Sequence, residues 1–122
     1  MNGRVMIMDD NPDVVETVKA IFRQREPDIE VIGATSGQEA LSIMHESPPD
    51  LVLIDIMMPE VDGWDVMVEM QKDPKLKNVP IIYLTAKTDD TSKMMGEMTS
   101  EDYITKPFDN EDLVRRVKKV LE

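Results

Sequence analysis

The sequence predicts an α/β domain built on a doubly wound, parallel, five-stranded sheet of order 2-1-3-4-5 with five helices. Three observations lead there. Short apolar runs alternate with stretches of helical periodicity along the whole chain. The run Leu51-Val52-Leu53-Ile54 has no polar alternation, the mark of a strand covered by helices on both faces. That run stops abruptly in a carboxylate, Asp55, before the breakers Pro59 and Asp62-Gly63.

Each element has its own justification. Arg4 to Met8 is apolar from Val5 onward and reads as the first strand, ending in the pair Asp9-Asp10. Asn11 can cap a helix and Pro12 suits its first position; Val14, Val18, Ile21 and Phe22 then recur at helical spacing until Glu26-Pro27-Asp28. Ile29 to Ala34 is the second strand. Ser36-Gly37-Gln38-Glu39 has the capping-box pattern, and Ala40, Leu41 and Met44 form the inner face of the helix it opens. Pro48-Pro49 ends that helix before the central strand. Asp62 is the expected cap of a third helix, whose register is set by Trp64, Met67, Val68 and Gln71 and which Asp73-Pro74 closes. Val79 to Leu84 is the fourth strand, with Pro80 at its start, where a missing donor is tolerated, and Thr85 at its end. Asp89 to Met98 is a fourth helix with few strong apolar positions. Tyr103-Ile104-Thr105 is a short fifth strand running into Lys106-Pro107. Asp109-Asn110-Glu111-Asp112 opens the last helix, striped by Leu113, Val117, Val120 and Leu121.

Composition narrows the function. At 122 residues and 41% hydrophobic content the chain reads as one domain, residues 1–122, with a real core. No apolar run approaches a membrane span and no signal-peptide pattern opens it, so a cytoplasmic protein without a membrane partner is expected. There is no Cys, hence no disulfide, Cys-type zinc site or thiol nucleophile, and the single His45 reads as a surface residue. Acids outnumber bases 25 to 14, for a net charge of −11. Direct nucleic-acid binding is therefore not expected, because it depends on neutralising phosphates with Lys and Arg. The 11 Met residues read as core fillers.

In the expected strand order the first and third strands are neighbours, which brings Asp9 and Asp10 beside Asp55 in the crevice beyond their carboxyl ends. Thr85 and Lys106 end the fourth and fifth strands on the same edge. Singly, these residues read as caps, a strand end and a solvated charge; together they describe a site. Three acids so close repel one another unless a cation sits among them. Oxygen ligands without His or Cys point to Mg²⁺, which often pairs with phosphate. A carboxylate can itself accept a phosphoryl group. The pattern suits Mg²⁺-assisted phosphoryl transfer onto a carboxylate, with Asp55 the best placed.

The chain resembles the CheY-like receiver domain of two-component response regulators from Arg4 to Leu121. The motifs that carry the resemblance are Asp9-Asp10, Asp55-Ile56-Met57-Met58-Pro59 with Asp62-Gly63, Thr85-Ala86, and Asp102-Tyr103-Ile104-Thr105-Lys106-Pro107-Phe108. It implies a flavodoxin/CheY-like fold and a phosphoacceptor Asp55 served by a sensor histidine kinase. It further implies Mg²⁺ bound by Asp10, Asp55 and the carbonyl of Met57, with Asp9 acting through water. Thr85 and Lys106 would contact the phosphoryl oxygens. Tyr103 matches the aromatic switch position, which implies a signal read on the face made by the Asp89–Met98 helix, the fifth strand and the last helix by an unknown downstream target or effector domain. Such a protein is a switch that catalyses only its own phosphorylation and dephosphorylation, not an enzyme. One region departs from the family: Thr99-Ser100-Glu101 stands where a Gly-Ala pair usually precedes Asp102.

Other classes fit less well. A Mg²⁺-dependent phosphatase with an aspartyl nucleophile needs a second acid two residues on, where Met57 stands. A dinucleotide site needs a Gly-rich loop where Asp9-Asp10-Asn11-Pro12 stands. A receiver fold kept only for docking would not need the full set of Asp9, Asp10, Asp55, Thr85 and Lys106.

Overall fold

The computed structural model of the chain describes residues 3–55, 63–85, 102–105 and 109–122. In chain order these form β1 (Gly3–Met8), α1 (Pro12–Arg25), β2 (Ile29–Ala34), α2 (Gly37–Glu46), β3 (Leu51–Ile54), α3 (Gly63–Lys72), β4 (Ile81–Thr85), β5 (Asp102–Thr105) and α4 (Asn110–Leu121). The strands make one parallel sheet, ordered β2-β1-β3-β4-β5. The helix expected over Asp89 to Met98 lies outside the described residues, as does the Asp62 cap.

The central strands alternate their side chains between two cores, as the two-residue period of a strand requires. Val5 and Ile7 of β1, Leu51 and Leu53 of β3, and Ile82 and Leu84 of β4 face α1 and α4. Met6 and Met8, Val52 and Ile54, and Ile81 and Tyr83 face the other way, against Ala40 and Met44 of α2 and Val66 and Met70 of α3. Helices thus cover both faces, which is why β3 needs no polar position. Each large side chain so buried contributes about 1.5–3 kcal/mol. The second core is rich in thioethers: Met6, Met8, Met44 and Met70 are fully buried, where their unbranched chains fill irregular space.

Local chemistry sets the helix starts. The Asn11 side chain accepts from the Asp13 N–H at 2.9 Å, and Pro12 occupies the first turn, where its missing donor costs nothing. Ser36 Oγ accepts from the Glu39 N–H at 3.1 Å. Glu39 does not close the box on Ser36; its carboxylate takes the N–H of Thr35, one residue earlier, at 2.8 Å. Asp109 caps α4 through the Glu111 N–H.

Three expectations need correction. Among the described side chains of α3 the buried ones are Val66 and Met70, with Met67 only partly buried, whereas Val68 is 45% exposed and Gln71 is exposed; the Trp64 side chain lies outside the described set. The segment Gly-Trp-Asp-Val-Met-Val-Glu-Met carries apolar residues on more than one face, so periodicity alone does not choose between them. The approach of the helix to the Met-rich side of the sheet chooses Val66 and Met70. Strand β4 begins at Ile81 rather than Val79, since Pro80 has no N–H and joins the sheet only through its carbonyl, which accepts from Val52 N at 3.0 Å. In α1, Val15 is buried beside Val18, Ile21 and Phe22, and Val14 packs at the margin.

Candidate metal centre at the carboxyl edge of the sheet

Register brings the acids together. Met8 pairs with Ala34 on one side and with Ile54 on the other, so β1, β2 and β3 end level. The residues that follow Met8 and Ile54 are Asp9 and Asp55. Their backbones are held there: Asp9 N–H donates to Ala34 O at 3.1 Å, and Asp55 N–H to Met8 O at 2.9 Å. One ligand oxygen each from Asp9, Asp10 and Asp55 lies within 4.8 Å of the others. Among the described residues this is the cluster of acids, His or Cys that could hold a metal ion.

The three carboxylates differ in setting. Asp9 is fully buried and Asp55 is 6% exposed, whereas Asp10 faces solvent. Asp9 Oδ1 accepts the N–H of Asn11 at 3.0 Å, so the first turn of α1 is tied to the cluster. The positive end of the α1 dipole lies there too and favours negative charge. At 4.8 Å and an effective dielectric of about 20, two carboxylate charges repel by roughly 3.5 kcal/mol. A bound cation removes that repulsion. Donors on opposite sides of an octahedral Mg²⁺ stand about 4.2 Å apart, so an oxygen set within 4.8 Å fits that ion with slight closure or with one ligand acting through water. The all-oxygen donor set suits a hard cation for the same reason.

Of the other predicted site residues, Thr85 ends β4, two positions past the Tyr83 that pairs with Ile54, and so lies on the same edge of the sheet. Tyr103 sits in β5, paired with Tyr83. Lys106 and Met57 lie outside the described residues. His45 is remote from the acids: it closes α2 near the opposite edge, with Nδ1 2.6 Å from Asp73 Oδ2. Asp73 accepts the backbone N–H of Lys75, and chiefly this bond, helped by His45, holds its carboxyl below the usual value. The sequence reads Asn11 as a cap alone; the structure adds its main-chain bond to Asp9, for which a capping residue directly after an acidic pair and before Pro12 is the available signal.

The response regulator receiver domain family matches residues 5–118. The DNA-binding response regulator MtrA of Mycolicibacterium smegmatis is 40% identical over 119 residues, which are 97% of this chain and 50% of that protein. MtrA of Mycobacterium leprae is likewise 40% identical, with 51% of its length covered. Among solved structures, the receiver domain of the Francisella response regulator 1452 superposes with a TM-score of 0.87 at 31% identity, over 98% of this chain and 97% of that one. Vibrio cholerae CheY4 superposes with a TM-score of 0.88 at 25% identity, over 98% and 99%.

These relatives overturn the expectation that nucleic acid is no partner, for the MtrA proteins are DNA-binding regulators. The chain spans about half the length of the curated relatives it matches. A net charge of −11 speaks only for the 122 residues counted, which match about half the length of those relatives. Among the described residues no helix is long and apolar enough to cross a membrane. With the family match extending over most of the sequence, and full-length likeness to solved receivers beside it, this chain belongs to the receiver domains of two-component response regulators.

Proposed function

We propose that Asp55 receives a phosphoryl group from the phosphohistidine of a sensor histidine kinase in a Mg²⁺-dependent, reversible switch working in the cytoplasm. The observation that carries this reading is the convergence of Asp9, Asp10 and Asp55 oxygens within 4.8 Å at the ends of β1 and β3. Asp10, Asp55 and the Met57 carbonyl would hold the ion directly, with Asp9 acting through water. Bound Mg²⁺ would neutralise charge on the carboxylates and the phosphoryl oxygens.

The chain's own residues do the rest. An Asp55 carboxylate oxygen attacks phosphorus, and the new P–O bond forms as the P–N bond to the kinase breaks. The donor's imidazolium keeps the proton on its other nitrogen and leaves as neutral imidazole. Lys106 answers the phosphoryl charge and Thr85 donates its hydroxyl. Later, water attacks the same phosphorus and the Asp55 carboxylate departs, so the protein resets itself and turns over no separate substrate. In this reading residues 89–98 supply the remaining helix of the fold, between β4 and β5. Thr85 and Tyr103 then shift the face that this helix makes with β5 and α4. The relatives favour a DNA-binding output for that signal.

The test is incubation with a small phosphodonor and Mg²⁺, followed by intact-mass measurement. One phosphoryl group per chain is expected while donor is in excess, and none on Asp55→Asn. Labelling that persists in Asp55→Asn refutes the assignment; donor turnover with no label accumulating on the protein points to a phosphatase, and neither label nor turnover to a docking module.

A further inference from the structure

Resting on the Mg²⁺ reading above, we infer that Asn11 is a positioning residue for the metal site, acting through Asp9. Asp9 is the fully buried member of the acidic cluster, and its Oδ1 accepts the Asn11 N–H at 3.0 Å. That donor is useful only while the Asn11 backbone stays put, and four features hold it. Its side-chain oxygen accepts from Asp13 N at 2.9 Å. Its carbonyl accepts from Val14 N and Val15 N at 3.1 and 3.3 Å. Pro12 confines the residue before it to extended backbone, and Asn11 has φ −94° and ψ 110°. Val15 anchors the turn in the core.

The chain of causes runs from the cap to the ion. Three carboxylates crowded together repel, and without a cation that repulsion works to swing them apart. An N–H aimed at Asp9 opposes that swing and holds one oxygen of the cluster in place before the ion arrives. Hydrogen bonds to a metal's direct ligands typically change its affinity by roughly 10–100-fold when removed, and the Asn11 bond, made to an acid that acts through water, lies one step further out and does less. Truncating the Asn11 side chain keeps the N–H but loosens its aim, so a smaller loss follows.

The experiment compares Asn11→Ala, Asn11→Gly, Asn11→Ser and Ser36→Ala. Ser36 caps α2 in the same way as Asn11 caps α1, through a bond to Glu39 N that involves none of the three clustered acids. Mg²⁺ affinity is read by calorimetric titration, and the exchange rate of the residue 11 amide is read by NMR in metal-free protein. Asn11→Ala and Asn11→Gly should bind Mg²⁺ roughly three- to tenfold more weakly and exchange the amide faster. Gly loses little cap stability, which keeps the comparison valid should the Ala variant unfold. Asn11→Ser, which caps equally well, should restore both readings, and Ser36→Ala should lower the melting temperature while leaving Mg²⁺ affinity unchanged. Wild-type affinity in both Asn11→Ala and Asn11→Gly overturns the inference, as does equal weakening by Ser36→Ala, which would mark a general stability effect. Failure of the wild type itself to bind Mg²⁺ is a separate result and overturns the metal reading together with this one.

Discussion

Neutralising Asp55 should stabilise the metal-free protein. Asp55 and Asp9 are both buried, and their oxygens lie within 4.8 Å. At an effective dielectric of about 20 this pair alone costs roughly 3.5 kcal/mol, and exposed Asp10, screened by water, adds about 1 kcal/mol. Asn keeps the shape of Asp and some of its hydrogen bonding, so the repulsion is relieved, less what salt already screens and less the attraction Asp55 gives up to its other partners. We expect a gain of about 1–4 kcal/mol. A domain of this size has an unfolding entropy near 0.26 kcal/mol/K, so the gain appears as a melting temperature higher by roughly 4–15 °C. Magnesium supplies the second half of the test. At one hundred times its dissociation constant a ligand stabilises by about 2.7 kcal/mol, or roughly 10 °C here. The wild type should rise by that amount when Mg²⁺ is added, and Asp55→Asn should barely respond. Thermal unfolding followed by circular dichroism at pH 8 in low salt, with and without Mg²⁺, reads both effects. An Asp55→Asn protein that melts lower than wild type without metal, or that keeps the full Mg²⁺ response, would show that the three acids are not a repulsive cation site.

Two further outcomes test the fold at either edge of the sheet. A methyl group at Gly33 would lie 2.3 Å from Val15 Cγ1 and 3.1 Å from Lys19 Cε; the lysine can move, but Val15 is stiff and buried, so Gly33→Ala should cost about 1–3 kcal/mol. In urea unfolding, Val15→Ala should cost less in that background than in wild type, and additive costs would refute the clash. At the other edge, Asp73 titrates below its ordinary 3.8 because it accepts the Lys75 N–H and pairs with His45. A carboxyl lowered in the folded state stabilises fully above its unfolded pKa and loses that contribution as pH falls through the folded value. Asp73→Asn should therefore flatten the acid limb of stability against pH below about 4, and an unchanged limb would count against this role.

Much of this protein is legible in local sequence because local chemistry decides it. The unbroken run Leu51 to Ile54 announces a strand buried on both faces, and both cores bear that out. Asn11-Pro12 and Ser36 start helices because a side-chain oxygen there meets a main-chain donor two or three residues on. Within α3, by contrast, apolar residues at 66, 67, 68 and 70 offer competing faces, and only packing against Met6, Met8 and Met44 selects Val66 and Met70. The capping box shows the same limit: its residues are in place, yet Glu39 accepts from the N–H of Thr35 and not from that of Ser36. The acids of the site were each visible in the sequence. What tertiary structure alone decided is that Asp9 is buried while its neighbour Asp10 is exposed, and that Asp9 meets Asp55 across a parallel register. Short-range patterning specifies how a strand ends. The distance between two strand ends depends on crossovers that bring residues 9 and 55 side by side, and no local pattern carries that information.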